Sequence, residues 1–544
     1  MADLLTHATA GVRRSRVWFA AALSAVVFLT ATNLTFPLGR DQATYCLIGE
    51  NLLRGRILYR DLWDNKPPGI FFLFTLIVKT FGPVMWSVGV ADILWVLAIS
   101  VCIFRYAKRY LGVPAAALAM VLNAAWHSTG GYIHAAQPET FLVLFLFLAF
   151  FLMGEGIRGS NLRYFGAGLI FGAAFWMKYN ALVFLPLLMF LPSLDPRPLD
   201  EGSLRLHLTI SWHRWFTRTA SLLAGFAAAI ILVLAYFAAV GAWAALKEVQ
   251  FEVLPRYGAM VFERQPHLWR WVLERSYYFL GPWSEAMWLA ALLVAWRRRE
   301  LAQVAPILAL CAAGYVAAAM QGRLPSFNFE TCYPFFAMCW GYVCVAAYQG
   351  FQMARAALAR RRWRVAAALL WLVAADVVYL PLPAEAYELM EKYQSFGVWW
   401  RDPKQFYAGY MWQIPLEKLH DQFEVIAYLE KHSRPEDEVY VWGTAPLINF
   451  LARRPFPSRF VSNLALISPW GPASWRDELV SDLKSHRPRF IVVARHDRIW
   501  AVTYTSMDSE QCLSAFPSLA AFLDREYLPV ENLDDFEIYR LNDA

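Results

Sequence analysis

One short stretch of the chain concentrates side chains that could do acid–base and phosphate chemistry. Residues 40–69 carry nine charged side chains, although the segments on either side are among the most apolar in the sequence. The carboxylate of Asp41 could take a proton from a hydroxyl group as a general base. The ammonium of Lys66, which stands before two prolines, could hold a phosphate and stabilise negative charge that develops on it. Together they suit a reaction in which a lipid phosphate is the leaving group.

Three more charged residues are predicted to lie on the same face of a membrane. Glu139 occurs in "HAAQPETF", Lys178 at a short turn between two apolar segments, and Arg323 in "QGRLPSFNFE". A phosphate leaving group needs no protonation, so one essential carboxylate would suffice, in contrast to the paired carboxylates of glycoside hydrolases. The set therefore predicts a phosphate-binding site that contains a single base.

Each of the two central residues also has a plain structural interpretation. Asp41 follows the first apolar segment, so its carboxylate could cap a helix or face water at the membrane rim. Lys66 could be an anchor whose ammonium reaches the headgroups while its stem stays in an apolar layer. The sequence alone leaves both interpretations open.

Four other ionisable residues lie in or beside apolar segments. Asp92 and Asp376 are costly in lipid and are functional candidates for that reason; Asp92 could pair inside the helix bundle or line the site, and Asp376 is expected at the interface. His127 and His134 flank an outer loop. Because no third ligand accompanies them, no metal site is predicted.

The composition indicates a membrane protein. Hydrophobic residues make up 58% of the 544 residues and charged residues only 17%, against about 25% charged in soluble proteins. The net charge of +7 comes from short arginine clusters beside apolar segments, which is the pattern of cytoplasmic loops and speaks against nucleic-acid binding. The seven cysteines show neither a disulfide framework nor a zinc pattern, and no cofactor is expected.

The apolar segments and arginine clusters predict about eleven crossings, with the N-terminus in the cytoplasm. Residues 70–81 are too short for a span and are predicted to be re-entrant or interfacial. The predicted outer loops are residues 37–83, 128–137, a turn at 178, 241–282, 321–330 and everything after 383. The predicted spans are residues 17–36, 84–104, 112–127, 138–156, 164–177, 179–193, 220–240, 283–296, 301–320, 331–350 and 365–382.

The tail of the chain changes character. Short strands are predicted at 437–442, 489–494 and 536–541, and helices at about 419–432, 474–486 and 516–526. Strands that alternate with helices suggest a small α/β domain. We therefore predict an α-helical polytopic domain over residues 1–383 and a soluble extracytoplasmic α/β domain over residues 384–544.

The first loop carries a resemblance to a known family. "GRDQATYCLIGENLLRG" followed by "LYRDLWDNKPPGIFFL" resembles the first outer loop of glycosyltransferase family 39, which includes the protein O-mannosyltransferases and the lipid A aminoarabinose transferases. The resemblance extends to the order of elements over nearly the whole chain. It implies a polytopic GT-C-type enzyme that uses polyprenyl-phosphate sugars.

The resemblance also implies roles for individual residues. Asp41 is similar to the catalytic base of the family, and Lys66 to its ligand for the lipid phosphate. Lys178 stands where a phosphate-contacting lysine is expected. The substrate-binding residues implied or predicted are Lys66, Glu139, Lys178, Arg323, Tyr45 and Asp64.

The predicted function is inverting transfer of a sugar from a polyprenyl-monophosphate donor to an acceptor hydroxyl, at the outer face of a bacterial cytoplasmic membrane. The expected partners are the donor, an acceptor lipid, glycan or protein, and the bilayer, with no nucleic acid. One alternative is a transporter or flippase of lipid-linked sugars, which would be expected to show inverted repeats and charges near the midplane. Another is a catalytically inactive partner subunit.

Overall fold

A computed structural model describes residues 2–153, 160–190, 194–198, 204–208, 212–280, 284–357, 393, 395–403, 406–407 and 418–542. The predicted span at 365–382, with Asp376, lies outside these residues, as does the predicted domain boundary at 383 and 384. The chain forms two compact units, which are described separately. The first contains Met1–Phe36, Gly89–Ile230 and His267–Gly397, and the second contains Pro37–Val88, Ile231–Pro266 and Val398–Ala544.

Most of the described residues are helical. The helices are α1 (Ala2–Ala31), α2 (Arg40–Leu53), α3 (Pro68–Phe81), α4 (Ser87–Leu111), α5 (Val113–Thr129), α6 (Pro138–Met153), α7 (Asn161–Met177), α8 (Leu185–Phe190), α9 (Trp212–Ala239), α10 (Trp243–Lys247), α11 (Leu254–Glu263), α12 (Leu268–Leu280), α13 (Ser284–Arg298), α14 (Leu301–Ala319), α15 (Tyr333–Ala357), α16 (Leu419–His432), α17 (Pro446–Ala452), α18 (Leu464–Ile467), α19 (Ser474–His486), α20 (Trp500–Thr503), α21 (Ser509–Ser514) and α22 (Pro517–Glu526). The strands are β1 (Leu194–Pro198), β2 (Leu204–Leu208), β3 (Val439–Trp442), β4 (Phe490–Ala494), β5 (Tyr527–Asn532) and β6 (Phe536–Leu541).

Four helical segments among the described residues are long and apolar enough to cross a membrane. They are Arg13–Thr35, Ser87–Leu111, Trp212–Ala239 and Leu301–Ala319. A helix of about 20 residues matches the hydrocarbon thickness of a bilayer, so the chain is a multi-pass membrane protein, as predicted. The total of about eleven crossings stays a prediction.

Residues 179–190 are the described part of the segment predicted as a span at 179–193. Tyr179–Phe184 is a 3-10 helix, and the α-helix that follows covers Leu185–Phe190 among the described residues. Pro186 lacks an N–H group and its ring clashes with the preceding turn, so proline fits the first turn of a helix and not its interior. The α-helix therefore starts next to this proline, and the crossing of the membrane by this segment stays a prediction.

Small residues bring two helices of the first unit into close contact. A Cβ atom on Gly168 of α7 would lie 2.0 Å from the carbonyl oxygen of Leu222, and one on Gly225 of α9 would lie 1.9 Å from that of Phe165. Only glycine fits such an approach, which is common between membrane helices because their association depends on close packing.

The second unit begins with the two helices of the first loop. Helix α3 starts at Pro68, which suits a first-turn position because its missing N–H has no partner there in any case. Helix α2 packs against it closely: a Cβ atom on Gly49 would lie 2.8 Å from the amide nitrogen of Thr75. Asp41 thus lies at the start of α2, and Lys66 lies in the loop between these two packed helices, two residues before α3.

The tail of the chain folds around a four-stranded mixed sheet in the order β3-β4-β6-β5. Strands β3 and β4 are parallel, and β6 is antiparallel to both β4 and β5. Val441, Val492 and Ile538 belong to its buried core. The three predicted strands are β3, β4 and β6, and the predicted helices are α16, α19 and α22. Strand β5 was not predicted, because most of its residues are exposed.

Candidate functional site

Asp41 and Lys66 are in contact in the second unit. Asp41 lies in the first turn of α2, where the aligned peptide dipoles favour a negative charge. Its Oδ1 atom accepts a hydrogen bond from Lys66 Nζ at 3.2 Å. The Lys66 and Asp41 side chains are 29% and 37% exposed, so the pair can be reached from outside the protein.

Two further predicted residues surround the lysine. Asp64 Oδ1 lies 3.9 Å from Lys66 Nζ and accepts a hydrogen bond from the Lys66 amide at 2.9 Å. The Tyr45 ring centroid lies 5.1 Å from the ammonium, within the range of a cation–π contact. The second unit thus brings together Asp41, Tyr45, Asp64 and Lys66.

The neighbouring charges determine the protonation states of Lys66 and Asp64. Burial disfavours the Lys66 ammonium, but the carboxylates of Asp41 and Asp64 outweigh that effect and raise the lysine pKa well above its usual range. Burial raises the pKa of Asp64, although the neighbouring ammonium opposes the change. Lys66 is therefore a fixed positive charge near neutral pH.

Hydrogen bonds to backbone carbonyl groups hold the turn that carries Lys66. The Lys66 carbonyl accepts hydrogen bonds from the Tyr59 hydroxyl at 2.7 Å and from Gln250 Nε2 at 3.1 Å. Gln250 also donates to the Asn65 carbonyl at 3.4 Å. Tyr59 is fully buried, so one of these anchors belongs to the core of the unit.

Arg459, from the C-terminal part of the second unit, forms hydrogen bonds to the loop that carries Lys66. Arg459 donates to Glu478 at 2.6 and 2.9 Å, to Glu248 at 3.0 Å and to the Tyr59 carbonyl at 3.4 Å. The Trp63 amide donates to the Arg459 carbonyl at 2.7 Å. A guanidinium suits this role because its five donors lie in a rigid plane.

Two predicted residues also pair in the first unit. Glu139, in the first turn of α6, is fully buried and accepts a hydrogen bond from Lys178, which follows the last residue of α7. Lys178 Nζ also lies 5.9 Å from the Phe327 ring centroid. Arg323 lies in the turn after α14, between two residues with positive φ angles, Gly322 and Leu324.

A buried polar network lies in the first unit. His127 Nε2 lies 3.0 Å from both carboxylate oxygens of Asp92, which also accepts hydrogen bonds from Asn33 Nδ2 at 3.0 Å and the Ala136 amide at 2.7 Å. The Nδ1 atoms of His127 and His134 lie 3.3 and 2.9 Å from Glu330 Oε1. Asp92 thus has the structural pairing that the sequence left open. Glu330 was not singled out by sequence reasoning, although it ends the quoted Gly-Arg segment.

The Glu139–Lys178 pair gives a stability prediction. Lys178→Met would leave the buried Glu139 carboxylate without its cation, a change that usually costs about 3–5 kcal/mol of stability for a buried pair. Because Lys178 is only partly buried, we expect the free energy of unfolding to fall by a smaller amount, roughly 2–3 kcal/mol. Adding Glu139→Gln should recover most of that loss. Thermal unfolding in detergent measures both, with the exposed Lys108→Met as the matched control. A double variant no more stable than Lys178→Met would contradict the pairing.

Comparison with protein families gives one match. Residues 65–198, about a quarter of the chain, match the family described as dolichyl-phosphate-mannose-protein mannosyltransferase. This match confirms the family resemblance predicted from the first loop, and with it the prediction of a membrane glycosyltransferase. No curated protein sequence matches the chain significantly.

Comparison with solved structures identifies the fold. ArnT from Cupriavidus metallidurans bound to undecaprenyl phosphate is similar over 97% of this chain and 98% of its own, with a TM-score of 0.56 and 14% identity. AglB, the oligosaccharyltransferase of Archaeoglobus fulgidus, in complex with an inhibitory peptide and a dolichol-phosphate, aligns over 96% of this chain and 74% of its own at 13% identity, and its TM-score of 0.40 is too low to indicate a common fold. The chain thus has an ArnT-like, mostly helical fold with a small mixed sheet near its C-terminal end.

Proposed function

We propose that this chain, which its family match identifies as a membrane glycosyltransferase, transfers a sugar from a polyprenyl-monophosphate donor to an acceptor hydroxyl, with inversion, at the outer face of the membrane. The observation that supports this most directly is the contact between Asp41 and Lys66. It places a candidate base and a candidate phosphate ligand side by side. Undecaprenyl phosphate, which is bound to the structurally similar ArnT, belongs to the proposed class of donor lipid.

The chemistry assigns one task to each member of the pair. Asp41 takes the proton of the acceptor hydroxyl while the hydroxyl oxygen attacks the anomeric carbon of the sugar. The bond between that carbon and the phosphate oxygen breaks, and the lipid phosphate leaves with an additional negative charge. Lys66 stabilises that charge, because a cation held beside the leaving oxygen attracts the negative charge that develops on it.

The contact between Lys66 and Asp41 fits this assignment. The Lys66 ammonium now bonds to the carboxylate of Asp41, and a donor phosphate would compete for the same ammonium. Moving the lysine toward the phosphate would release Asp41 to act as a base. Asp64, which holds the Lys66 amide, would keep the turn in place during the exchange.

The remaining predicted residues are proposed as substrate contacts on the strength of the resemblance. Glu139 and Lys178 form an ion pair whose cation could turn to an anionic group, as we propose for Lys66. Arg323 is a second candidate cation in the first unit, and Tyr45 supplies an aromatic face beside Lys66. A bacterial cytoplasmic membrane, with the N-terminus inside and the tail outside, is proposed from the positions of the arginine clusters.

The experiment that tests the proposal is a transfer assay with purified protein in detergent. A panel of polyprenyl-monophosphate sugars is offered with hydroxyl acceptors from lipids, glycans and peptides. We expect one donor to release its sugar together with free polyprenyl phosphate. Binding of such a lipid by the wild type without turnover would overturn the proposal and favour a transporter or an inactive partner.

A further inference from the structure

A π-helical turn in the second unit lies beside the candidate lysine. Glu248–Val253 forms this turn between α10 and α11. π-Helical turns are rare and occur frequently at functional sites, because the extra residue per turn changes the direction of the side chains. Nothing in the local sequence predicts such a turn.

Gln250 points from this turn to the backbone of the candidate site. Its side chain is buried, with 6% exposure, and its amide donates to the carbonyls of Lys66 and Asn65 at 3.1 and 3.4 Å. The residue after Lys66 is Pro67, which fixes its own φ angle and offers no N–H group. The Lys66–Pro67 peptide group therefore offers only its carbonyl for hydrogen bonding, and Gln250 and Tyr59 both donate to it.

The turn itself is anchored from the tail of the chain. Glu248 accepts hydrogen bonds from Arg459 at 3.0 Å and from the Trp475 indole at 2.7 Å. Trp475 is buried, and Arg459 is also held by both carboxylate oxygens of Glu478. These hydrogen bonds hold the π-helical turn that carries Gln250 in place.

We infer that Gln250 is a positioning residue for Lys66, which sets how far the ammonium reaches toward a donor phosphate. A lysine side chain has four rotatable bonds, so the position of its backbone limits where the ammonium can stand. Gln250 and Tyr59 fix the carbonyl of Lys66, and Asp64 fixes its amide. This inference rests on the proposed function, because it assumes that Lys66 binds the phosphate.

The experiment is a double-mutant cycle that uses a polyprenyl monophosphate as the probe. Gln250→Met keeps the size of the side chain and removes its donor, so binding should weaken by roughly 3- to 10-fold, the usual effect of one lost hydrogen bond. In turnover the donor KM should rise while the acceptor KM stays constant. In a Lys66→Met background the same substitution should change binding by less than about 2-fold, because coupled residues do not add.

Controls separate positioning from general damage. Gln422→Met removes another buried glutamine of the second unit and should leave probe binding unchanged. If Gln250→Met does not fold, Gln250→Asn keeps an amide that is one methylene shorter and should show the same loss of binding. Equal weakening by Gln250→Met with and without Lys66 would overturn the inference and leave the proposed function standing. Wild-type probe binding by Lys66→Met would overturn both.

Discussion

Replacing Asp41 with asparagine should lower the rate of sugar transfer by about 10²- to 10⁴-fold, the usual contribution of a general base. Asparagine has nearly the same shape but cannot take a proton from the acceptor hydroxyl. Donor binding should fall little, because Lys66 and the turn that holds it remain. The measurement is transfer at saturating donor and acceptor, together with binding of a polyprenyl monophosphate.

The control for this change lies in the same loop. Asp61 accepts a hydrogen bond from the Ile57 amide at 2.8 Å and pairs with Arg60, so it is a structural carboxylate away from the Asp41–Lys66 contact. Asp61→Asn can still accept that hydrogen bond and should transfer sugar at nearly the wild-type rate. If Asp41→Asn also retained full transfer, Asp41 would be a rim or cap carboxylate and another group would be the base.

Local sequence signals indicated the two helix starts beside the site, but not the contact between Asp41 and Lys66. Asp41 was predicted at a helix start just after the first span, and α2 begins at Arg40. Lys66 stands before two prolines, which disfavour a helix before them and favour a helix start, and α3 begins at Pro68. In the structure the two helices pack with their N-terminal ends on the same side, because Tyr45 contacts Phe71 and Gly49 approaches Thr75. Spacing alone could not show that the carboxylate and the ammonium touch.

The support of the site could not be predicted in this way. Arg459 bonds to Glu248, which is 211 positions away in the sequence, and Gln250 bonds to Lys66 across 184 positions. Neither residue belongs to a motif or a periodic pattern, because a single hydrogen bond leaves no repeat in the sequence. The π-helical turn could not be predicted from the sequence either, because its residues have ordinary helix propensities. The sequence offered one signal, which is a charged residue at the edge of a predicted outer loop. Glu330, the last residue of the predicted loop 321–330, could have been found in this way.

Lys66→Met should weaken binding of a polyprenyl monophosphate by about 10- to 100-fold, because a charge-assisted hydrogen bond contributes roughly 1.5–3 kcal/mol. Methionine keeps the apolar stem against Tyr45 and removes only the charge. Binding of the corresponding polyprenol, which has no phosphate, should not change. Lys79→Met, an exposed lysine at the end of α3, is the matched control and should bind the phosphate as the wild type does.

The pH dependence of binding gives a second test of the same charge. Because Asp41 and Asp64 raise the Lys66 pKa well above its usual range despite burial, the ammonium stays charged at neutral and mildly alkaline pH. The ion pairs that raise the lysine pKa stabilise the folded protein at pH values below the pKa of the lysine in the unfolded chain. That stabilisation is lost only as the pH rises through the pKa of the lysine in the folded protein. The probe phosphate is fully ionised above its second pKa of about 6, so binding should be constant between pH 7 and 9. A steep fall in this window that is absent in Lys66→Met would show that the lysine loses its proton near neutral pH, against the fixed charge that the site requires.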